Sequence, residues 1–259
     1  MKNNFFYVLI LVSSTYFSAN ACAIDSISYN YKTLKKESKA LITADKDTIV
    51  SSIELKYPVF KNPVWNEQVK QLIFNSETET SNYATYDEYL HAFIDASVEA
   101  NAEEEVYPRS WTQEIQVRVE NQFAGLQTLS LSISSYNYTG GAHPNSSLFY
   151  VNYDIFSRKL IKLSDLINPN MMARLTYIAS TIFRKQEGLS PTQSLENYFF
   201  ENQKFSLNTN FLITKKGLLF YYNPYEIRSY AEGPMELLVP YASIGSLLKI
   251  NPYIPQNHK

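Results

Sequence analysis

Three histidines and one cysteine in 259 residues leave few places for nucleophilic or metal chemistry. His143 directly follows the pair Gly140-Gly141 and Ala142, His91 lies in a stretch of helical spacing, and His258 sits near the C-terminus. A zinc site needs at least three protein ligands, and no second histidine stands near His143, so no metal and no cofactor are expected. The carboxylates close to distinctive motifs are Asp154, Asp165, Glu226 and Glu232. A glycan hydrolase would need two of them across a cleft, about 5–5.5 Å apart for retention or about 6.5–9.5 Å for inversion. Glu226 is the best placed, inside a motif. Asp154 has the parity of the face opposite Phe149 and Ile155, which predicts a solvated side chain. The acidic run at 99–105 lacks the alternating ligands and central glycine of a calcium loop and reads as a solvated helix end.

The remaining chemistry is aromatic. Tyrosine occurs 21 times. One cluster is Tyr136 and Tyr138, just before Gly140, Gly141 and His143. The other is Tyr221, Tyr222, Pro224, Tyr225 and Glu226. An exposed tyrosine offers a large contact area and a hydroxyl at low conformational cost. These ten residues are the candidate binding set. Two readings of Tyr136 and Tyr138 stay open. Leu129, Leu131 and Ile133 occupy odd positions and the two tyrosines even ones. Either a bulge at Ser134-Ser135 turns them inward, or they stand on the wet face of the strand.

The elements that must position these residues are legible from periodicity. Ile27 to Thr33 and Ile49 to Tyr57 alternate as strands, with Pro58 expected to end the second. Trp65, Val69, Leu72 and Ile73 fall at helical spacing. Thr85 and Glu88 form a capping box before Tyr89, Leu90, Phe93 and Ile94. Trp111 to Glu120 alternates strictly, a turn is expected at 121–125, and strands begin again at Leu129 and at Phe149. Three neighbouring strands with short links predict an antiparallel meander. Beyond it, Met171, Leu175, Ile178 and Ile182 predict a helix. Ser190-Pro191-Thr192-Gln193 predicts the start of another, with Leu195, Tyr198 and Phe199 as its buried side. Strands at 211–214, 218–222 and 237–239 and a short helix at 244–248 close the chain. The fold class is α+β, an antiparallel sheet meander with helices packed on it, in two sub-parts that share a core.

The first residues carry Lys2, a short apolar run from Phe5 to Val12, and Ala19-Asn20-Ala21, the pattern of a signal peptide over 1–23. Plain cleavage near Ala21 or Ala23 and lipidation at Cys22 both remain open. An exported protein is expected, periplasmic or secreted, tethered through Cys22 if at all, with no transmembrane segment in the mature chain. A single cysteine excludes an intrachain disulfide. Hydrophobic residues at 45% and charged residues at 19% support a packed core. The net charge of −2 leaves no basic excess for phosphates, so no nucleic-acid partner is expected. Without the leader the balance is 22 basic against 25 acidic residues.

The run YNYTGGAH, a Tyr-rich strand, Ser157-Arg158-Lys159 and LSDLI, with GLLFYYNPYEIRSYAEGP later in the chain, resemble the two motifs of the DUF3298 family. The upstream half is similar to its companion DUF4163 region. The resemblance implies a DUF4163-like α+β part at 24–157 and a DUF3298-like part at 158–259, with YNYTGGAH at the junction. The family resembles the extracellular lysozyme-binding part of an anti-sigma factor and the domain beside a peptidoglycan deacetylase. It thereby implies an exported, non-enzymatic envelope domain. The partner it implies is a lysozyme-like protein or a peptidoglycan fragment. The alternative is a cell-wall glycan hydrolase or deacetylase-associated enzyme using Glu226 or Asp154. Pro144 departs from the family, which usually has Gly there, and restricts the turn after His143.

Overall fold

A computed structural model describes residues 27–42, 46–76, 83–103, 109–122 and 127–254. The leader, and parts of the acidic run and of the turn at 121–125, lie outside them. In chain order the elements are β1 (Tyr29–Glu37), β2 (Leu41–Ile42), β3 (Thr48–Ile49), β4 (Ser52–Phe60), α1 (Pro63–Phe74), α2 (Tyr86–Glu103), β5 (Thr112–Gln122), β6 (Thr128–Tyr138) and β7 (Asn145–Asp154). Next come α3 (Leu163–Leu166), α4 (Met172–Gln186), β8 (Phe211–Ile213), β9 (Gly217–Tyr222), β10 (Met235–Pro240) and α5 (Tyr241–Ile244). This is an α+β fold.

The larger sheet runs β1-β4-β5-β6-β7. Its last three strands are the expected antiparallel meander. β4 and β5 are parallel, and the chain crosses between them through α1 and α2. Alternation places Ile53, Leu55 and Tyr57 of β4, Ile115 and Val117 of β5, and Leu129, Leu131 and Ile133 of β6 on one face. Trp65, Val69 and Ile73 of α1 and Tyr89, Leu90 and Ile94 of α2 cover that face and close the first apolar cluster. Asn62 caps α1, its side chain accepting from Val64 N at 3.1 Å. At α2, Thr85 Oγ1 accepts from Glu88 N at 3.2 Å, and the Glu88 carboxylate accepts from Ala84 N rather than from Thr85 N.

Two expectations are corrected here. β4 continues through Pro58 to Phe60. Its pairing with β5 stops at Lys56 while pairing with β1 continues, and a strand with a free side tolerates proline. Ser190–Gln193 forms a turn and no helix. Arg184 donates to the carbonyls of Ser190 and Gln193 at 3.0 and 2.8 Å, which occupies the acceptors that a helix would use. Of the side chains assigned to that helix, Leu195 is buried and Phe199 is 57% exposed.

The smaller sheet, β10-β9-β8, carries Leu218, Phe220, Tyr222, Leu237 and Val239 on the face that packs with Leu175, Ala179 and Phe183 of α4. The expectation of one shared core is corrected: the buried apolar residues form two separate clusters. Between them runs a polar seam. Asn210 accepts from Tyr150 N and donates to Leu148 O, both at 2.8 Å. Asn223 accepts from Leu148 N at 2.7 Å and donates to the same carbonyl at 3.2 Å. Asn152 donates to Phe211 O at 2.8 Å and accepts from Ile213 N at 3.2 Å and from the Ser130 hydroxyl at 2.7 Å. Asn121, just past a bulge in β5, donates to Ile213 O at 2.6 Å.

Asn152→Leu strands a backbone carbonyl, a backbone N–H and a hydroxyl in a buried place. A loss of about 2–4 kcal/mol is expected, from about 1–3 kcal/mol per unpaired buried group. Thermal unfolding monitored by circular dichroism should show the melting temperature fall by about 4–12 °C. An unchanged melting temperature would remove the seam from the account of stability.

Candidate functional site

The second face of the large sheet carries the site. Register sets Glu114 beside Tyr136 and Ser146, Gln116 beside Ser134 and Leu148, and Arg118 beside Ser132 and Tyr150. The pairing of β6 with both neighbours is continuous through Ser134-Ser135, so no bulge turns Tyr136 and Tyr138 inward. They stand on the face opposite Leu129, Leu131 and Ile133. The irregularity is in β5, between Val119 and Asn121, where Glu120 is set off the ladder and accepts from the Ser132 hydroxyl at 2.5 Å.

The small sheet rises beside this face. Alternation in β9 sends Tyr221 toward it and Tyr222 away. The result is an open groove of about 570 Å³ between the two sheets. Tyr136, Tyr150 and Tyr221, with Leu148, Pro224 and Pro234, supply its apolar lining. Glu114, Glu120 and Glu236 face it with Arg118 as the one cation among the described lining residues. Tyr150 and Tyr221 meet edge to face, with centroids 6.1 Å apart. Burial, then the nearby Glu120, Glu236 and Tyr221, push the Tyr150 phenol up to about 12, so it stays a hydrogen-bond donor at neutral pH.

A hollow of about 580 Å³ shares Tyr150 and Pro224 with the groove. Its further lining includes Phe149, Asn208, Thr209, Asn223, Tyr225 and Glu226. Tyr225 has φ of 67°, a left-handed conformation that costs a bulky residue about 1 kcal/mol or more. Its ring is nevertheless 53% exposed. His143 holds it. The imidazole donates from Nδ1 to Pro144 O at 2.9 Å, and its Nε2 is hydrogen-bonded with the Tyr225 hydroxyl at 3.1 Å. The His143 ring stacks on Tyr230 with centroids 4.1 Å apart.

The loop bearing Tyr230 is braced in turn. Arg228 donates to Pro234 O at 2.7 Å and to Gly233 O at 3.2 Å, and pairs with Glu187 at 3.5 Å. Ser229's hydroxyl and backbone N–H hold the Glu232 carboxyl below its ordinary value.

Of the ten residues singled out in the sequence, Tyr136, Tyr221 and Pro224 meet in the groove, and Tyr225, Glu226 and Pro224 in the hollow. His143 anchors the hollow's rim. Gly140, at φ of 89°, is pressed by the Arg109 side chain, whose guanidinium donates to its carbonyl. Gly141 has room for a Cβ and no need of glycine. Tyr138 is half-buried beside Thr112 and is not among the groove's lining residues.

Tyr222 is a correction. It lies 1% exposed inside the second cluster, its hydroxyl donating to Ser206 O at 2.9 Å, and burial pushes its phenol up. Leu218, Phe220 and Tyr222 share parity, so the alternation in β9 already separates it from Tyr221. Sequence reasoning misses Tyr150, Glu120, Glu236, Phe149 and the seam asparagines. The parity of Tyr150 with Leu148 and Asn152 is the available signal.

The two carboxylates weighed for hydrolysis have structural work. Glu226 accepts from Asn208 Nδ2 and from Asn223 N, each at 2.8 Å. Asp154, expected to face water, is 7% exposed and accepts from Ser157 N at 2.7 Å and Phe156 N at 2.9 Å. The strand ends there in a turn that folds back over the carboxylate. Phe149, expected inside, is 45% exposed because it lies at the open end of its face.

Residues 164–242 match the family described as "Protein of unknown function (DUF3298)". This stretch is similar to a DUF3298 domain. Upstream of it, residues 42–146 match the family described as "Deacetylase PdaC". Together the two matches mark a cell-envelope-related domain. Solved DUF3298 family structures from Bacteroides fragilis and Pseudomonas aeruginosa share its fold, each at a TM-score of 0.68 and 20% identity. They cover 88% and 90% of this chain, and 96% and 100% of their own. Immunogenic protein MPB64 of Mycobacterium bovis and MPT64 of Mycobacterium tuberculosis are 28% identical over 130 residues, 48% of this chain. The chain spans about half the length, 53%, of these curated relatives. Among the described residues no helix is long and apolar enough to cross a membrane.

Burial raises the Asp154 carboxyl, but hydrogen bonds from Ser157, Tyr253 and Phe156 outweigh it and hold the group below its ordinary value. A depressed folded pKa adds stability that is present above about pH 4 and is lost as pH falls through the folded value. Asp154→Asn should therefore be less stable than the parent near neutrality, by about 1–2 kcal/mol. The gap should narrow in acid. Urea unfolding from pH 7 down to about pH 3 checks this; a gap that widens in acid would reverse the sign.

Proposed function

We propose that this chain is a non-enzymatic envelope domain whose groove takes up a basic, glycan-active protein of the lysozyme type. The supporting observation is the meeting of Tyr136 and Tyr150 with Tyr221, from distant stretches of chain, beside three carboxylates and one arginine. Tyrosine is enriched among the residues that dominate binding energy at protein interfaces. The carboxylates favour a cationic partner and disfavour an anionic one, such as a peptidoglycan fragment bearing free carboxylates. The PdaC-type match and the leader-like start support export to the envelope, as periplasmic or secreted protein. The division of the chain into 24–157 and 158–259 belongs to the same proposal, with the groove formed where the two parts meet.

Calorimetric titration of the full chain with a basic animal lysozyme should give saturable binding that weakens with added salt, because exposed charges are screened beyond about 8–10 Å. Tyr221→Ala should weaken it about tenfold or more. Glu120→Gln with Glu236→Gln should slow association and flatten the salt dependence. Absence of binding by folded protein would sink the proposal. Tighter binding of a peptidoglycan fragment than of lysozyme would transfer the groove to the glycan.

A further inference from the structure

The hollow beside the groove has a different character. Three aromatic side chains stand at it: Tyr150, shared with the groove, and the more exposed Phe149 from β7 and Tyr225 from the loop after β9, 45% and 53% exposed. Asn208, Asn210, Asn223, Thr209 and Glu226 complete its polar lining. Glu226 is the one charged side chain among the described lining residues, and each of its oxygens accepts one internal hydrogen bond, which leaves lone pairs for a further donor. The volume of about 580 Å³ is that of a small-molecule site.

Tyr225 is the decisive residue. A side chain kept in the left-handed region normally serves packing or gives way to glycine. Here it does neither. Its ring is exposed, yet it is fixed by the His143 hydrogen bond and by Tyr230, with ring centroids 5.6 Å apart. Strain that holds an aromatic face toward solvent is the mark of a preorganised contact surface. An apolar face flanked by acceptors and hydroxyls matches a pyranose ring, which has a CH-lined face and a rim of hydroxyl donors.

We infer that the hollow is a subsite for a neutral pyranose ring, stacked on Tyr225 or Phe149 with its hydroxyls on Glu226 and the neighbouring amides. A carboxylate-bearing sugar is disfavoured there by Glu226. This subsite stands independently of the groove's partner, since its ligand, its stacking residues Tyr225 and Phe149 and its test differ, although Tyr150 and Pro224 border both recesses.

Chitotriose, a neutral N-acetylated sugar chain, is titrated into the full chain and monitored by NMR and calorimetry, with a muramic-acid glycan as the charged comparison. Saturable binding of chitotriose in preference to the charged glycan is expected. Tyr225→Gly should weaken it about tenfold or more, the loss of an aromatic stacking partner. The same change relieves the backbone strain, so the melting temperature should hold or rise. Phe149→Ala should weaken binding, and Tyr221→Ala should leave it unchanged while weakening lysozyme. The inference is overturned by failure of chitotriose to bind or by unaltered affinity in Tyr225→Gly. It is equally overturned by preference for the charged glycan, or by a clear fall in the melting temperature of Tyr225→Gly, which would make the ring a structural strut.

Discussion

The asparagine seam is the constraint on which the molecule depends. β7 is the outer strand of the large sheet, and at Leu148 and Tyr150 its backbone turns away from β6. Those groups would cost free energy if buried unpaired. A continuing sheet would satisfy them with another strand. Asn210 and Asn223 satisfy them instead, because one carboxamide offers a donor and an acceptor together, as a backbone residue does. Asn152 repeats the device in the other direction, reaching from β7 to the backbone of β8. A side chain can pair at an angle that a strand cannot. The small sheet is therefore held beside the second face of the large one, and the space between them is the groove.

That arrangement explains why some of the molecule is legible in the sequence and some is not. β5 and the first half of β6 face a helix layer on one side, so the alternation of Ile115, Val117, Leu129, Leu131 and Ile133 stands out plainly. α1 and α4 announce themselves by spacing for the same reason. The other face carries serines that pair within the sheet, Ser130 with Asn152 and Ser132 with Glu120, and asparagines that bond across the seam; both serines are as buried as their apolar neighbours. Polar residues buried by pairing look like solvated residues in a sequence, so Asp154 and the second face read as wet. Ser190–Gln193 shows the converse failure. Its local chemistry favours a helix start, but Arg184, from a preceding helix, takes the carbonyls. Local propensity yields where a tertiary partner satisfies the backbone differently.

Charge behaves likewise. A net value of −2 over the whole chain describes no local environment. Folding gathers Glu114, Glu120 and Glu236 around one arginine and three tyrosines, and places a single carboxylate in the hollow next door. Two of the groove's acids, Glu114 and Glu120, come from β5, and the third arrives from β10 through its pairing with Tyr221. The bulge in β5 matters to this, since it displaces Glu120 and allows the Ser132 hydroxyl to orient it. The two adjacent recesses are both acidic and differ in how many charges they gather, even though Tyr150 and Pro224 belong to both.

His143 ties these features to the twin-glycine motif. The sharp turn at Gly140, with Arg109 packed against it, brings the imidazole to the loop after β9. Both ring nitrogens are occupied by hydrogen bonds, so the imidazole acts as a positioning group. It keeps Tyr225 extended, and Tyr230 supports it from behind through a loop that Arg228 fixes. Strain at Tyr225 persists because each of these contacts would be lost if the residue relaxed. The cost is stability at one loop; the gain is an aromatic face that a ligand need not organise. The scaffold thus presents Tyr136, Tyr150 and Tyr221 from strands and Tyr225 from a braced loop, the rigid arrangement on which the proposed binding role rests.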